Sequence, residues 1–190
     1  SEKSKRNNGL ISIEDHPITY DNHLYFSFTS DEEINICQVY ETENKNISHL
    51  FSSEETFNYT LQNIHQTDYN ILDNQELIIL NQLNNFSTGF SATIKSYIEK
   101  GGSVCIIPAE NANIDSYNLF LNQLNINQFS SEVVKNIKIA NLNLKHPIFN
   151  SVFSTSEIKD DINLPTIYNY YRLKKNSNII KQNIFRLENS

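Results

Sequence analysis

Three residues are of a type and position to act on a bound molecule: Asn81, Glu110 and Asn111. Asn81 follows the apolar run Leu77-Ile78-Ile79-Leu80, and Glu110 and Asn111 follow Ser103 to Ile107 by way of Pro108-Ala109. In doubly wound sheets ligands sit beyond the carboxyl ends of the strands, which is where these residues would lie. Glu110 would serve as a carboxylate base, with Asn81 or Asn111 as a positioning amide. The competing reading makes Glu110 a partner of a helix dipole, the commoner role for a lone acid at a strand end.

A nucleophile is missing from that place. An elbow for acyl transfer puts Ser or Cys on the sharp turn between strand and helix; here the turn carries Ala109 and Glu110. Cys105 comes too early, within the strand itself. His146, the histidine of the C-terminal half, stands beside Pro147 and reads as a turn residue. Both Cys37 and Cys105 lie in apolar runs, where a thiol is expected to behave as a small buried hydrophobe.

Metal and cofactor chemistry have no better footing. His16, His23, His49, His65 and His146 are scattered, and no two share ligand spacing on one helix face. Asp31-Glu32-Glu33 and Asp160-Asp161 read as solvated loops. Asp15 and Asp21 lack the spacing of a calcium loop. Gly101-Gly102 leads out of a helix into a strand, the reverse of a phosphate cradle. The sequence therefore calls for no cofactor, no metal ligand and no catalytic residue.

Composition sets the frame for these residues. With 38% hydrophobic and only 19% charged residues over 190 positions, the chain can bury a core and is not of the disordered kind. Its polar excess is amide: the 29 Asn outnumber the 15 Lys and Arg. A net charge of −7 argues against a nucleic-acid partner, because phosphate binding relies on clustered bases. Charge is uneven. Lys3, Lys5 and Arg6 open the chain, and Arg172, Lys174, Lys175, Lys181 and Arg186 close it. No stretch approaches the length and apolarity of a membrane helix. The lack of Met, at position 1 as elsewhere, suggests a processed or excised piece, so any anchor would lie outside these residues.

Patterning then supplies the elements. Residues 1–9 read as a linker, and 10–190 as one α/β domain in three parts. Residues 10–30 form a β appendage, with strands at Leu10–Ile13 and Leu24–Phe28 suggesting a hairpin or an edge addition before the main fold. Residues 31–128 form the α/β core. There Ile34–Tyr40, Phe57–Ile64, Leu77–Leu80 and Ser103–Ile107 are strands, the last two covered on both faces. Helices are expected at Ile47–Phe51, Asp68–Leu72, from Ser87 to Gly101, and from Ile114. Alternating strands and helices with short links imply a mostly parallel sheet with helices on both faces. Residues 129–190 are β-rich, with a bulge or break expected near Ala140-Asn141, a turn at His146-Pro147 leading to Val152-Phe153, and strands at Ile167–Leu173 and Asn178–Leu187.

The segment Glu76 to Asn111, a strand, a helix ending in Gly-Gly and a second strand, resembles the glutamine-amidotransferase-like, flavodoxin-type α/β domain. Taken with Leu10–Asp15, Tyr20–Asn22 and Leu24–Phe28 before it, and His146–Phe149 with Val152-Phe153 after, the order resembles the extracytoplasmic region of BatA-type proteins of aerotolerance operons. That resemblance implies a domain on the periplasmic face of the membrane, held by helices outside this chain, whose partners are other envelope or membrane proteins. Enzymes of the amidotransferase-like class carry Cys at the turn held here by Ala109-Glu110, so the resemblance implies the scaffold without the activity. The expected function is a non-catalytic interaction domain. The alternative is an enzyme or small-ligand binder using Asn81, Glu110 and Asn111.

Overall fold

A computed structural model describes residues 6–13, 23–29, 33–43, 45–52, 56–149, 164–174 and 182–188. The expectations for Asp15, His16, Asp21, Asp31-Glu32, Val152-Phe153, Asp160-Asp161 and residues 178–181 lie outside them. The fold is α/β, with one four-stranded parallel sheet and separate antiparallel sheets. By its contacts the chain divides into two compact units, Ser1–Leu80 with Gly102–Cys105 and Asn81–Gly101 with Ile106–Ser190.

The first unit begins with β1 (Arg6–Ser12) paired antiparallel to β2 (His23–Thr29). This confirms the hairpin-like pairing but corrects the linker: β1 starts at Arg6, inside the stretch 1–9. Asn7-Asn8-Gly9 reads as a breaker, yet Gly9 lies opposite Phe26, whose ring occupies the space a Cβ would need. A cross-strand aromatic over a glycine restores the contact that the missing side chain removes.

Next come β3 (Ile34–Tyr40), α1 (Lys45–Phe51) and β4 (Phe57–Asn63), with β3 and β4 parallel and in register from Ile34↔Phe57 to Tyr40↔Asn63. Burial of Ile36, Cys37, Gln38 and Val39 makes β3 a strand covered on both faces. Phe51 packs edge-on against Phe57 at 5.3 Å and stacks on Tyr59 at 5.6 Å, which seats α1 on β4. The short α2 (Tyr69–Leu72) is capped by Asp68, whose side chain accepts from the Asn70 N–H at 3.0 Å. It leads to β5 (Leu77–Asn81), where Ile78, Ile79 and Leu80 are buried.

Helix α3 (Thr88–Glu99) buries Phe90, Ser91, Ile94 and Tyr97, the spacing of one helix face. Ser87 caps it by accepting from the Phe90 N–H at 3.2 Å, and Gly101 ends it at φ +98°, a left-handed conformation that favours glycine. The strand β6 (Ser103–Ile107) is where the burial expectation fails. The sheet order is β4-β3-β5-β6, so β6 is an edge strand, and Cys105 is exposed rather than buried. An apolar run of five cannot tell an edge from a centre by composition alone.

Helix α4 (Ile114–Gln123) turns Tyr117, Phe120 and Leu121 inward, with Asn113 as its cap. The long β7 (Phe129–Leu142) pairs antiparallel with β8 (Thr166–Leu173) on one side and β9 (Phe185–Leu187) on the other. A register shift between Ile139 and Asn141 falls where a bulge or break is expected. Six aromatic rings hold the core of this second unit. Phe86 stacks on Phe120 at 4.2 Å and meets Phe90 and Tyr117, Tyr117 meets Phe129 at 5.4 Å, and Phe129 stacks on Tyr171 at 4.7 Å. Each such pair adds about 0.5–1.5 kcal/mol beyond its buried area.

Candidate functional site

The turns after β5 and β6 belong to the second unit, and both are tied down by their own neighbours. Gln82 leaves β5 at φ +52° and its N–H donates to the Ile107 carbonyl at 2.8 Å. Tyr117 then donates its hydroxyl to the Leu83 carbonyl at 2.7 Å in a buried bond. The Phe86 N–H donates to the Ser116 hydroxyl at 2.9 Å, so the loop after β5 is pinned to α4 at two points. Asn81 itself is buried, and its Nδ2 has no hydrogen-bond partner among the described residues.

The turn after β6 is held by β7 and β8. Tyr171 donates its hydroxyl to the Ala109 carbonyl at 2.8 Å and accepts from the Ala112 N–H at 2.9 Å. One side chain therefore closes both ends of the turn. Glu132 stands opposite Tyr171 in the β7–β8 register, and its Oε1 accepts from the Asn111 N–H at 3.1 Å and from the Asn169 amide. Ala109 and Ala112 are buried beneath this clasp, whereas Glu110 and Asn111 face solvent, Asn111 at φ +56°. Asn118 anchors the start of β7 by accepting from the Phe129 N–H at 2.7 Å and donating to its carbonyl at 3.0 Å.

Of the three sequence-derived candidates, Glu110 and Asn111 are adjacent in one exposed turn, and Asn81 is buried at the end of β5 with no bond to either. Glu110 makes no hydrogen bond or ion pair with a described residue, so none of these holds its carboxylate in a working geometry. Its charge does act on Tyr171. Burial pushes the Tyr171 hydroxyl above the usual tyrosine value, the Ala112 N–H pulls it down, and the Glu132 and Glu110 carboxylates push it up again. The tyrosine stays protonated at neutral pH and remains the donor to Ala109.

Tyr171, Glu132 and Asn169 were not identifiable from the sequence. Residues 167–173 read as a strand, but which turn that strand would cover depends on a pairing of distant segments. His146 is a turn residue as expected: its backbone N–H donates to the Asn143 carbonyl and its Nδ1 accepts from the Ile148 N–H. No group of three metal-ligating side chains occurs among the described residues, and no helix among them is long and apolar enough to cross a membrane. The chain matches no family model, no curated protein and no solved structure.

Proposed function

We propose that this chain is a non-catalytic interaction domain, the extracytoplasmic part of a membrane-anchored envelope protein of the BatA type, facing the periplasm and partnered by other envelope or membrane proteins. The observation that carries this reading is the clasp over the β6–α4 turn. Where a catalytic scaffold of this kind leaves a crevice for substrate, the Tyr171 hydroxyl and the Glu132 carboxylate take up the backbone groups of residues 109–112. An N–H already bonded to a side chain is not available to an oxyanion.

Two further features support the scaffold and the role. Numbered within the sheet, β3, β4, β5 and β6 give the order 2-1-3-4, the first four strands of the flavodoxin-like order. The β1–β2 ribbon exposes Leu10, Ile11, Leu24, Tyr25 and Phe26, an apolar surface of the sort that marks interaction. The membrane anchor and the envelope partners rest on the family resemblance alone.

A screen of amide and ester substrates with the intact chain and with Glu110→Gln tests the reading. The expected result is no turnover above background with either protein. Turnover with the intact chain that disappears in Glu110→Gln would establish the rival, an enzyme using the Glu110 turn.

A further inference from the structure

The amide-rich, basic end of the chain forms a groove that neither the family resemblance nor the β6–α4 turn accounts for. About 580 Å³ of space opens between the end of β7 with its following residues and the segment containing β9. Lys145 and Arg186 both line it, with Asn141, Asn143, Asn183 and Phe185. Among the described residues no acidic side chain lines it, in a chain whose net charge is −7. Neither cation makes an ion pair or hydrogen bond with a described residue. A pocket of a few hundred Å³ with a small number of convergent polar groups is the ordinary form of a small-molecule site.

The backbone explains why these groups converge. A register shift between Ile139 and Asn141 interrupts the β7–β9 ladder just before the groove, and a bulge at such a shift re-aims the side chains that follow. The Asn143 N–H then donates to the Ile184 carbonyl at 2.7 Å, and its Nδ2 donates to the Asn183 carbonyl at 3.2 Å. These two bonds fix the walls of the groove. The Asn143 side-chain oxygen, the amides of Asn141 and Asn183, and both cations remain uncommitted among the described residues.

We propose that this groove binds a small organic carboxylate that carries hydroxyl or amide groups beside the acid. The guanidinium of Arg186 is a planar fork suited to two parallel bonds with a carboxylate, and Lys145 adds a second positive charge. The three asparagines can donate to or accept from neighbouring polar groups. Two sources share that chemistry, an acidic sugar and the C-terminal end of a peptide. Because both cations are solvent-facing, salt is expected to weaken the binding.

Nuclear magnetic resonance titration of the ¹⁵N-labelled full chain tests the proposal. The probes are D-glucuronate, N-acetyl-alanyl-alanine and inorganic phosphate, each with the intact chain, Arg186→Gln, Lys145→Gln and the control Lys138→Gln, whose site lies outside the groove. The expected result is saturable shifts at residues 141–145 and 183–186 with glucuronate or the dipeptide, whichever responds naming the source. Affinity falls about tenfold or more in Arg186→Gln and Lys145→Gln and is unchanged in Lys138→Gln. A dispersed spectrum for each variant certifies its fold, and the two groove variants report independently. No saturable shift with either carboxylate up to about 20 mM overturns the site, given that Kd values above that range carry little binding energy. A response to phosphate alone overturns the carboxylate class, and binding that survives both groove substitutions overturns the location.

Discussion

Two short uncharged apolar runs in the first unit meet opposite fates. Ile78, Ile79 and Leu80 of β5 are 0%, 4% and 1% exposed, whereas Leu24, Tyr25 and Phe26 of β2 are 61%, 75% and 43% exposed. Their compositions hardly differ. What differs is the number of strands and layers around them. β5 sits inside a four-stranded sheet, between β3 and β6. Among the described residues β2 pairs with β1 alone, and a two-stranded ribbon has little core of its own to bury its faces. The comparison teaches that an apolar run reports what a strand can bury, while topology decides what it does bury.

The comparison can be broken most severely at β5. Replacing Ile78 by Ala should cost about 2–5 kcal/mol, because the cavity forms in a closed environment. Equilibrium urea denaturation would show it as a lower midpoint with unchanged slope. A loss under about 0.5 kcal/mol would mean that β5 is not the buried strand it is described to be.

The second test asks how far a buried strand tolerates polarity. Gln38 in β3 is fully buried, its Oε1 accepts from the Tyr59 hydroxyl, and its Nε2 has no partner among the described residues. Tyr59→Phe should therefore cost about 1–3 kcal/mol by leaving a buried amide without its remaining bond. The same pair sets an alkaline limit. Burial and then the Cys37 thiolate raise the Tyr59 hydroxyl from 10.0 to about 12. Between those values the unfolded tyrosine has released its proton and the folded one has not, so the unfolded state binds fewer protons and stability falls as pH rises. Burial raises the Cys37 thiol as well, from 9.0, adding a loss of the same sign that begins earlier. Denaturation midpoints measured from pH 8 to pH 11 should fall, and should fall less steeply in Tyr59→Phe.

Much of this was open to pattern reading, for reasons that can be named. Ile34–Tyr40 and the Ser87-capped helix were legible because burial and capping are local signals, a run of apolar residues or a hydroxyl before a periodic face. The register shift at Ile139/Asn141 was legible from the slip in alternation between Ile139 and Leu142. The edge position of β6 and the exposure of Cys105 were not, since an edge is defined by a neighbour that the run itself does not encode. At the candidate site the sequence showed which residue types were missing from the β6–α4 turn. It could not show that Tyr171, some sixty residues later in the chain, closes that turn.

Smaller effects follow at the clasp and on the ribbon. Tyr171→Phe should cost about 1 kcal/mol, since the Ala109 carbonyl and Ala112 N–H lose a part-buried partner while the stack on Phe129 persists. Leu24→Ser on the exposed ribbon should stay within about 0.5 kcal/mol, the range of ordinary surface changes. A loss of several kcal/mol at Leu24 would show that the ribbon is covered in solution, and would erase the contrast with β5.

The closure of the β6–α4 turn is tested most directly by amide hydrogen exchange at Ala112 and Asn111, in the intact chain and in Tyr171→Phe. With the clasp in place the Ala112 N–H, bonded to the Tyr171 hydroxyl, exchanges slowly and becomes fast in the variant, while Asn111 keeps the protection it draws from Glu132. An Ala112 amide that exchanges at the open-chain rate in the intact protein would contradict the account, because the turn would then stand open to a substrate.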